Sequence, residues 1–212
     1  MGSKLFLRRF GVIGDIHCEF AWLDASMFWF KQQRCERKIL AVGDIVDGKG
    51  DADACIQLLI RCSVDAVLGN HDRWALAGEM RHLLHATKQL APLSRDYLIN
   101  LPSFRLYESS QGRIMLCHGY GRDDEAQSRS DGIVAGRWPL EEVRSQLETL
   151  SVKFLLCGHT HRPEMFQDQG IQIINVGCLR PHRGPTAVIV DTEAKTVRFR
   201  RLDLGLEWLQ FF

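Results

Sequence analysis

Residues 157–163 read CGHTHRP and follow directly on the apolar run VKFLL of residues 152–156. A short apolar run that stops at a glycine reads as a buried strand entering a loop, and Gly158 lets the backbone turn sharply there. Side chains along a strand repeat every two residues, so His159 and His161 can point the same way from an extended segment. Two imidazoles on one side of a strand end suit a metal ion, but an isolated H-x-H is as readily a pair of ordinary loop histidines. The rest of the chain has to decide.

The same signature recurs. RRFGVIGD (8–15), KILAVGD (38–44) and VDAVLGN (64–70) are apolar runs that each end in glycine and then a polar residue. Between them, EFAWLDASMFWFKQQRCER (19–37) and DADACIQLLIRC (51–62) space their apolar residues as helices do, with Asp51 or Asp53 placed to cap the second. This is a β-α-β-α-β pattern and predicts a parallel sheet. Farther on, RHLLHATKQL (81–90) and RDYLINL (95–101) read as helical, FRLYES (104–109) and RIMLCHG (113–119) as a hairpin, and PLEEVRSQLETL (139–150) as a helix. EMFQDQGIQIINVG (164–177) and TAVIVDTEAKTVRFRRL (186–202) read as pairs of antiparallel strands. The longest segment without an assignment is 119–137. Two sheets packed face to face with helices outside are expected, and ligands collect where the carboxyl ends of strands meet.

Composition narrows the function. At 212 residues and 45% hydrophobic, the chain is long enough for one domain, spanning 1–212, that buries roughly 70–75% of its unfolded surface. A net charge of +1 argues against tight nonspecific nucleic-acid binding. The seven cysteines form no C-x-x-C pair and read as small buried residues in a reducing cytosol. No segment approaches the ~18 apolar residues that a membrane span needs, so a cytoplasmic protein is expected.

Five predicted strand ends carry polar groups of one kind: Asp15 and His17, Asp44, Asn70 and His71, His118, and His159 with His161. Carboxylate, imidazole and amide oxygen, without cysteine, suit Mn²⁺, Fe or Zn²⁺ in sites with open positions. Two such ions lying about 3.5–4 Å apart need a shared anionic ligand, and Asp44 is the candidate.

The order D-x-H, G-D, G-N-H-[DE], H, G-H-x-H resembles the calcineurin-like metallophosphoesterases, and the resemblance extends from Gly14 to about Gly184. It implies an α/β fold, a four-layer α/β/β/α sandwich with two mixed β-sheets, around a dinuclear centre. One divalent metal ion would take Asp15, His17, Asp44 and His161, the other Asp44, Asn70, His118 and His159, and Asn70 would also lie near substrate. A metal-bridging hydroxide would attack a small phosphoester in line. His71 would contact substrate and donate a proton to the leaving oxygen, and Asp72 is the neighbour available to orient it. The endings LCHGYG and INVGCLRP look most like the small single-domain bacterial and archaeal phosphodiesterases of the superfamily. The serine/threonine phosphatases and their diadenosine tetraphosphatase relatives carry G-D-x-V-D-R-G, whereas this chain has GDIVDGKG, without the phosphate-gripping arginine after Asp47. Nucleotide pyrophosphatase or nuclease action is the enzymatic alternative. The retromer scaffold subunit resembles this fold put to a binding use, but it lacks the histidine matching His71.

Other residues carry weaker signals. Arg180, His182 and Arg183 in CLRPHRG are placed to bind a phosphate or the leaving group, and Arg73 and Arg122 are lesser candidates of that kind. His82 and His85 would share one face of a surface helix. The aromatic residues Trp22, Phe28, Trp29 and Phe30, and the apolar ending LGLEWLQFF, either dock within the chain or meet a second copy in a homodimer.

Overall fold

The computed structural model describes residues 6–35 and 37–212. Strands β2 (Arg9–Ile13), β3 (Ile39–Ala41) and β4 (Asp65–Ala66) pair in parallel, connected by helices α1 (Phe20–Gln32) and α2 (Ala52–Arg61). Asp51 caps α2 through a side-chain bond from the Ala54 amide, 3.0 Å. Strands β12 (Thr186–Asp191), β13 (Thr196–Arg201) and β14 (Leu206–Phe211) extend this sheet antiparallel beyond β2, giving the order β14-β13-β12-β2-β3-β4. The second sheet runs β1-β5-β6-β9-β11-β10, from Phe6–Leu7, Phe104–Ser109, Gly112–Cys117, Val152–Cys157, Ile171–Asn175 and Glu164–Asp168 respectively. Both sheets mix parallel and antiparallel pairs.

Period-two patterning explains the layering. In β12, Val188 and Val190 face the other sheet, while Ala187 and Ile189 face α1 and α2. In β9, Phe154 and Leu156 enter the space between the sheets, and Leu155 and Cys157 pack toward α5 (Leu140–Thr149). Strands buried on both faces read as continuous apolar runs. The result is an α/β/β/α arrangement with three apolar layers, each fully buried large side chain contributing roughly 1.5–3 kcal/mol.

Two segments depart from the sequence reading. Residues 81–90 form turns, with Met80 and His85 at φ 52° and 65°, and the helix begins only at α4 (Pro92–Ile99). The apolar periodicity of 81–90 loses to tertiary bonds, because the Arg81 side chain and the Thr87 amide are both held by Asp47, 2.7–2.9 Å away; His82 and His85 therefore share no helix face. Segment 119–137 is ordered around the buried Asp123, whose carboxylate accepts from the amides of Glu125, Gly136, Arg137 and Trp138, and it contains a hairpin, β7 (Gln127–Arg129) and β8 (Gly132–Val134). One face of the apolar ending docks within the chain, where β14 pairs with β13, Trp208 stacks on Phe199 at 5.1 Å and Phe212 meets Phe154, while Leu206, Leu209 and Phe211 stay exposed.

Asp65 joins the edge of one sheet to the other, accepting from the Tyr107 hydroxyl at 2.7 Å and pairing with Lys38. Burial would raise its pKa, but Lys38 and Tyr107 outweigh burial and hold it below the usual carboxylate range. That stabilisation is present above the unfolded value, about 3.9, and is lost as pH falls through the lower folded value. Asp65→Asn is expected to cost about 1 kcal/mol at pH 7, with the deficit shrinking in urea titrations as pH falls below about 3.9; a deficit independent of pH would refute this account.

Candidate active site

Every candidate ligand lies just past the carboxyl end of a strand. Asp15 and His17 follow β2, Asp44 follows β3, His118 follows β6, and His159 and His161 follow β9, while Asn70 and His71 open helix α3 (Asn70–Ala77) just after β4. The Asp15 backbone bridges Cys178, which brings the loop after β11 against the same rim. His17, Asp44, Asp47, His159 and His161 all have positive φ, between 46° and 66°. Asp and His tolerate this region better than most side chains, though each such residue carries backbone strain that the surrounding packing must hold in place.

The side chains converge in two groups. Asp15, His17, Asp44 and His161 each bring a ligand atom within 4.8 Å of the others. His17 Nε2 is 3.0 Å from His161 Nε2, and His161 Nε2 is 2.9 Å from Asp15. Beside them, Asn70 Oδ1 lies 2.8 Å from His118 Nε2 and 3.0 Å from His159 Nδ1, with Asp44 Oδ2 at 3.4 Å from His118 Nε2. Asp44 borders both groups, since its Oδ2 is also 3.6 Å from His17 Nε2.

The donor set fits cations. The Nδ1 of His17 faces the carbonyls of Val46 and Asp47 at 3.2 and 3.1 Å, and a carbonyl only accepts, so Nδ1 carries the proton. Burial keeps the His17 pKa well below its usual value and the ring neutral, leaving a bare Nε2 aimed at His161. His118 Nδ1 likewise donates to Val42 O at 2.9 Å, turning its Nε2 toward the Asn70 oxygen. Acceptor atoms pointed at one another in a buried, carboxylate-rich pocket are what metal ligands look like when their outer bonds fix the tautomer. Burial would raise the Asp15 pKa, but His118 and the bond from His161 outweigh it and hold the carboxyl low. Burial pushes Asp44 up, and the Asp15 charge adds to the effect. His159 is lowered by burial and by the neighbouring His118.

His71 sits outside both groups. Its amide donates to Asp44 at 2.9 Å, and its Nδ1 meets Asp47 Oδ2 at 2.9 Å. Burial would lower the His71 pKa, but Asp47 and Asp44 raise it above its usual value. The group orienting this imidazole is therefore Asp47 and not Asp72. The Asp72 carboxylate is occupied by three backbone amides, of Ile45, Val46 and Gly69 at 2.8–3.1 Å, and ties the loop after β3 to the start of α3. Burial and the nearby Asp44 push the Asp72 pKa up against those bonds.

Of the basic candidates, Arg180 donates to Asp47 O at 3.1 Å beside His17, and its buried Nε has no partner among the described residues. His182 and Arg183 lie exposed on a 3₁₀ turn, Pro181–Arg183. Arg73 is held by Asp124, Glu125 and Glu79, and Arg122 by Glu142. Sequence reading missed the functional geometry of Asp47, which GDIVD displayed only as a branch marker, and it missed Arg81 and Thr87, which lie 34 and 40 residues from Asp47 and carry no local signal.

Residues 9–195 match the calcineurin-like phosphoesterase superfamily domain, and the chain belongs to that superfamily. Among solved structures it is similar to a hypothetical protein of Pyrococcus horikoshii, with 18% identity over 92% of this chain and 88% of that one and a TM-score of 0.68. It is also similar to the phosphoesterase Yfce of E. coli, with 14% identity over 96% and 98% of the two chains and a TM-score of 0.61. Vps29 of Chaetomium thermophilum shares 17% identity over 97% and 96%, with a TM-score of 0.54. At these identities the likeness establishes the fold. No curated protein matches the sequence. Among the described residues, no helix is long and apolar enough to cross a membrane.

Proposed function

We propose that this protein is a dinuclear metal-dependent phosphoester hydrolase acting on a small phosphodiester or phosphomonoester. The observation that carries the reading is the pair of carboxylate, imidazole and amide clusters that meet at Asp44, with bare acceptors facing one another. Asp15, His17, Asp44 and His161 would hold one ion, and Asp44, Asn70, His118 and His159 the other. Mn²⁺, Fe and Zn²⁺ all suit these donors. The chemistry such ions supply is charge neutralisation on the phosphate and acidification of the attacking water.

The chain's own residues do the rest. The Arg180 guanidinium, anchored by Nη2 on Asp47 O, supplies positive charge for a phosphate oxygen, with His182 and Arg183 on the outer rim. His71, its Nδ1 on Asp47, presents Nε2 to the leaving oxygen. As the bond from phosphorus to that oxygen breaks, the oxygen takes the Nε2 proton, and the ring recovers one from solvent. His71→Gln is expected to lower kcat toward an unactivated ester by ~10²–10⁴ while metal binding, measured by calorimetry, stays intact; full activity in that variant would remove His71 from this role. No disulfide joins the cysteines, most of which are buried, and this suits a reducing compartment such as the cytosol.

The deciding experiment compares hydrolysis of bis-p-nitrophenyl phosphate and p-nitrophenyl phosphate by chelator-stripped protein, with and without added Mn²⁺. Diester turnover that returns only with metal supports the diesterase form of the reading, and preference for the monoester supports a phosphatase. Metal binding with neither ester turned over would count against hydrolysis and point to a binding scaffold.

A further inference from the structure

Asp47 is 2% exposed, yet its carboxylate accepts four hydrogen bonds, and only one of them comes from the imidazole of His71. The Arg81 guanidinium spans both oxygens, Nη1 to Oδ1 and Nη2 to Oδ2, each at 2.9 Å. The Thr87 amide adds a bond to Oδ1 at 2.7 Å, while the Thr87 hydroxyl accepts from the Asp47 amide at 3.0 Å. Arg81 is itself held, with Nε on Glu79 O at 2.6 Å and Nη1 also on Thr87 O at 3.0 Å. Oδ2 is thus shared between a fixed guanidinium and the His71 ring.

A two-point guanidinium–carboxylate pair constrains the carboxylate plane, which a single hydrogen bond does not. The direction of the Asp47 lone pairs sets the angle at which the His71 ring lies, and therefore where its Nε2 points. The segment supplying Arg81 has no regular secondary structure and reaches Asp47 from 34 residues away. The guanidinium serves the carboxylate, and its donors to Asp47, Thr87 and Glu79 leave little for a substrate.

We propose that Arg81 is a positioning residue, acting through Asp47 to aim His71 at the leaving-group oxygen. The inference rests on the phosphoesterase reading above and deepens it by assigning the segment 78–91 a role in leaving-group protonation. A leaving group that departs readily as an anion needs little help from a proton, so misaiming His71 harms poor leaving groups selectively. A residue that merely pinned a loop would harm all leaving groups alike.

The test is a series of aryl methyl phosphates running from p-nitrophenyl to unsubstituted phenyl, turned over by metal-replete wild type, Arg81→Gln and Arg81→Lys. Arg81→Gln is expected to lose about tenfold in kcat on the phenyl ester and less than about twofold on the p-nitrophenyl ester, with KM little changed. Arg81→Lys, which keeps the charge but not the two-point geometry, should fall between, and it carries the test if the glutamine variant shows no cooperative thermal transition. A loss uniform across the series, or no loss, overturns the positioning role while leaving the phosphoesterase reading in place. A wild type that turns over neither these diesters nor the corresponding aryl monophosphates with Mn²⁺, Fe²⁺ and Zn²⁺ overturns both.

Discussion

Asp44→Asn is expected to reduce phosphoester hydrolysis by about three orders of magnitude or more, since transition-state charge stabilisation by bound metal is worth several kcal/mol and each 1.4 kcal/mol is tenfold. The Asp44 carboxylate borders both ligand groups, with Oδ2 3.6 Å from His17 Nε2 and 3.4 Å from His118 Nε2. Asparagine keeps its shape and is at home at φ 49°, so the loop should survive the change. The backbone carbonyl of Asp44, which accepts from the amides of Ile16 and His17, is untouched. Burial pushes the Asp44 carboxyl upward, so its charge opposes folding until a cation compensates it. The metal-free variant should therefore melt no lower than metal-free wild type at pH 7. The wild type should gain melting temperature on adding Mn²⁺, and the variant should not. A variant that kept its metal-dependent stabilisation would show that the two groups do not depend on a shared carboxylate.

Gly48→Ala is expected to destabilise the protein by about 3 kcal/mol or more, near the upper end for overpacking because the obstacle is main chain. A Cβ built at Gly48 would lie 1.7 Å from the carbonyl oxygen of His17, and one at Gly50 2.1 Å from that of Cys18. Loop 44–50 thus lies directly on the backbone that carries His17. Alanine would have to lift it, dragging Asp47 O away from His17 Nδ1, 3.1 Å, and from Arg180, 3.1 Å. For a domain of this size the cost corresponds to a melting temperature lower by roughly 6–12 °C. A variant within about 1 °C of wild type would mean that the loop moves freely. The same contact explains a departure seen in the sequence: an arginine directly after Asp47 has no room here.

The places of the candidate ligands were legible in the sequence, because each lies just after its own strand and a strand that ends in glycine and a polar residue is a local pattern. The run VKFLLCGHTH specified a buried strand, a turn and two imidazoles without reference to anything distant. A cap at Asp51 or Asp53, of which Asp51 serves, and the parallel order of β2, β3 and β4 were legible for the same reason. Neighbouring residues supply the cap, and a helix between two strands imposes the crossover.

Chain neighbours were a poor guide to the support around the ligands. Asp72 adjoins His71 in sequence but holds three amides, whereas Asp47, 24 residues away, holds the ring. Residues 81–90 carry a helical apolar spacing, yet they fold as turns because Arg81 and Thr87 gain charge-assisted bonds to a buried carboxylate, which outweigh the few tenths of a kcal/mol per residue that helix propensity offers. Local pattern can place a ligand at the end of its own strand. Which side chain orients it depends on which loops the packed sheets bring together, and those contacts form between segments whose sequences carry no mark of one another.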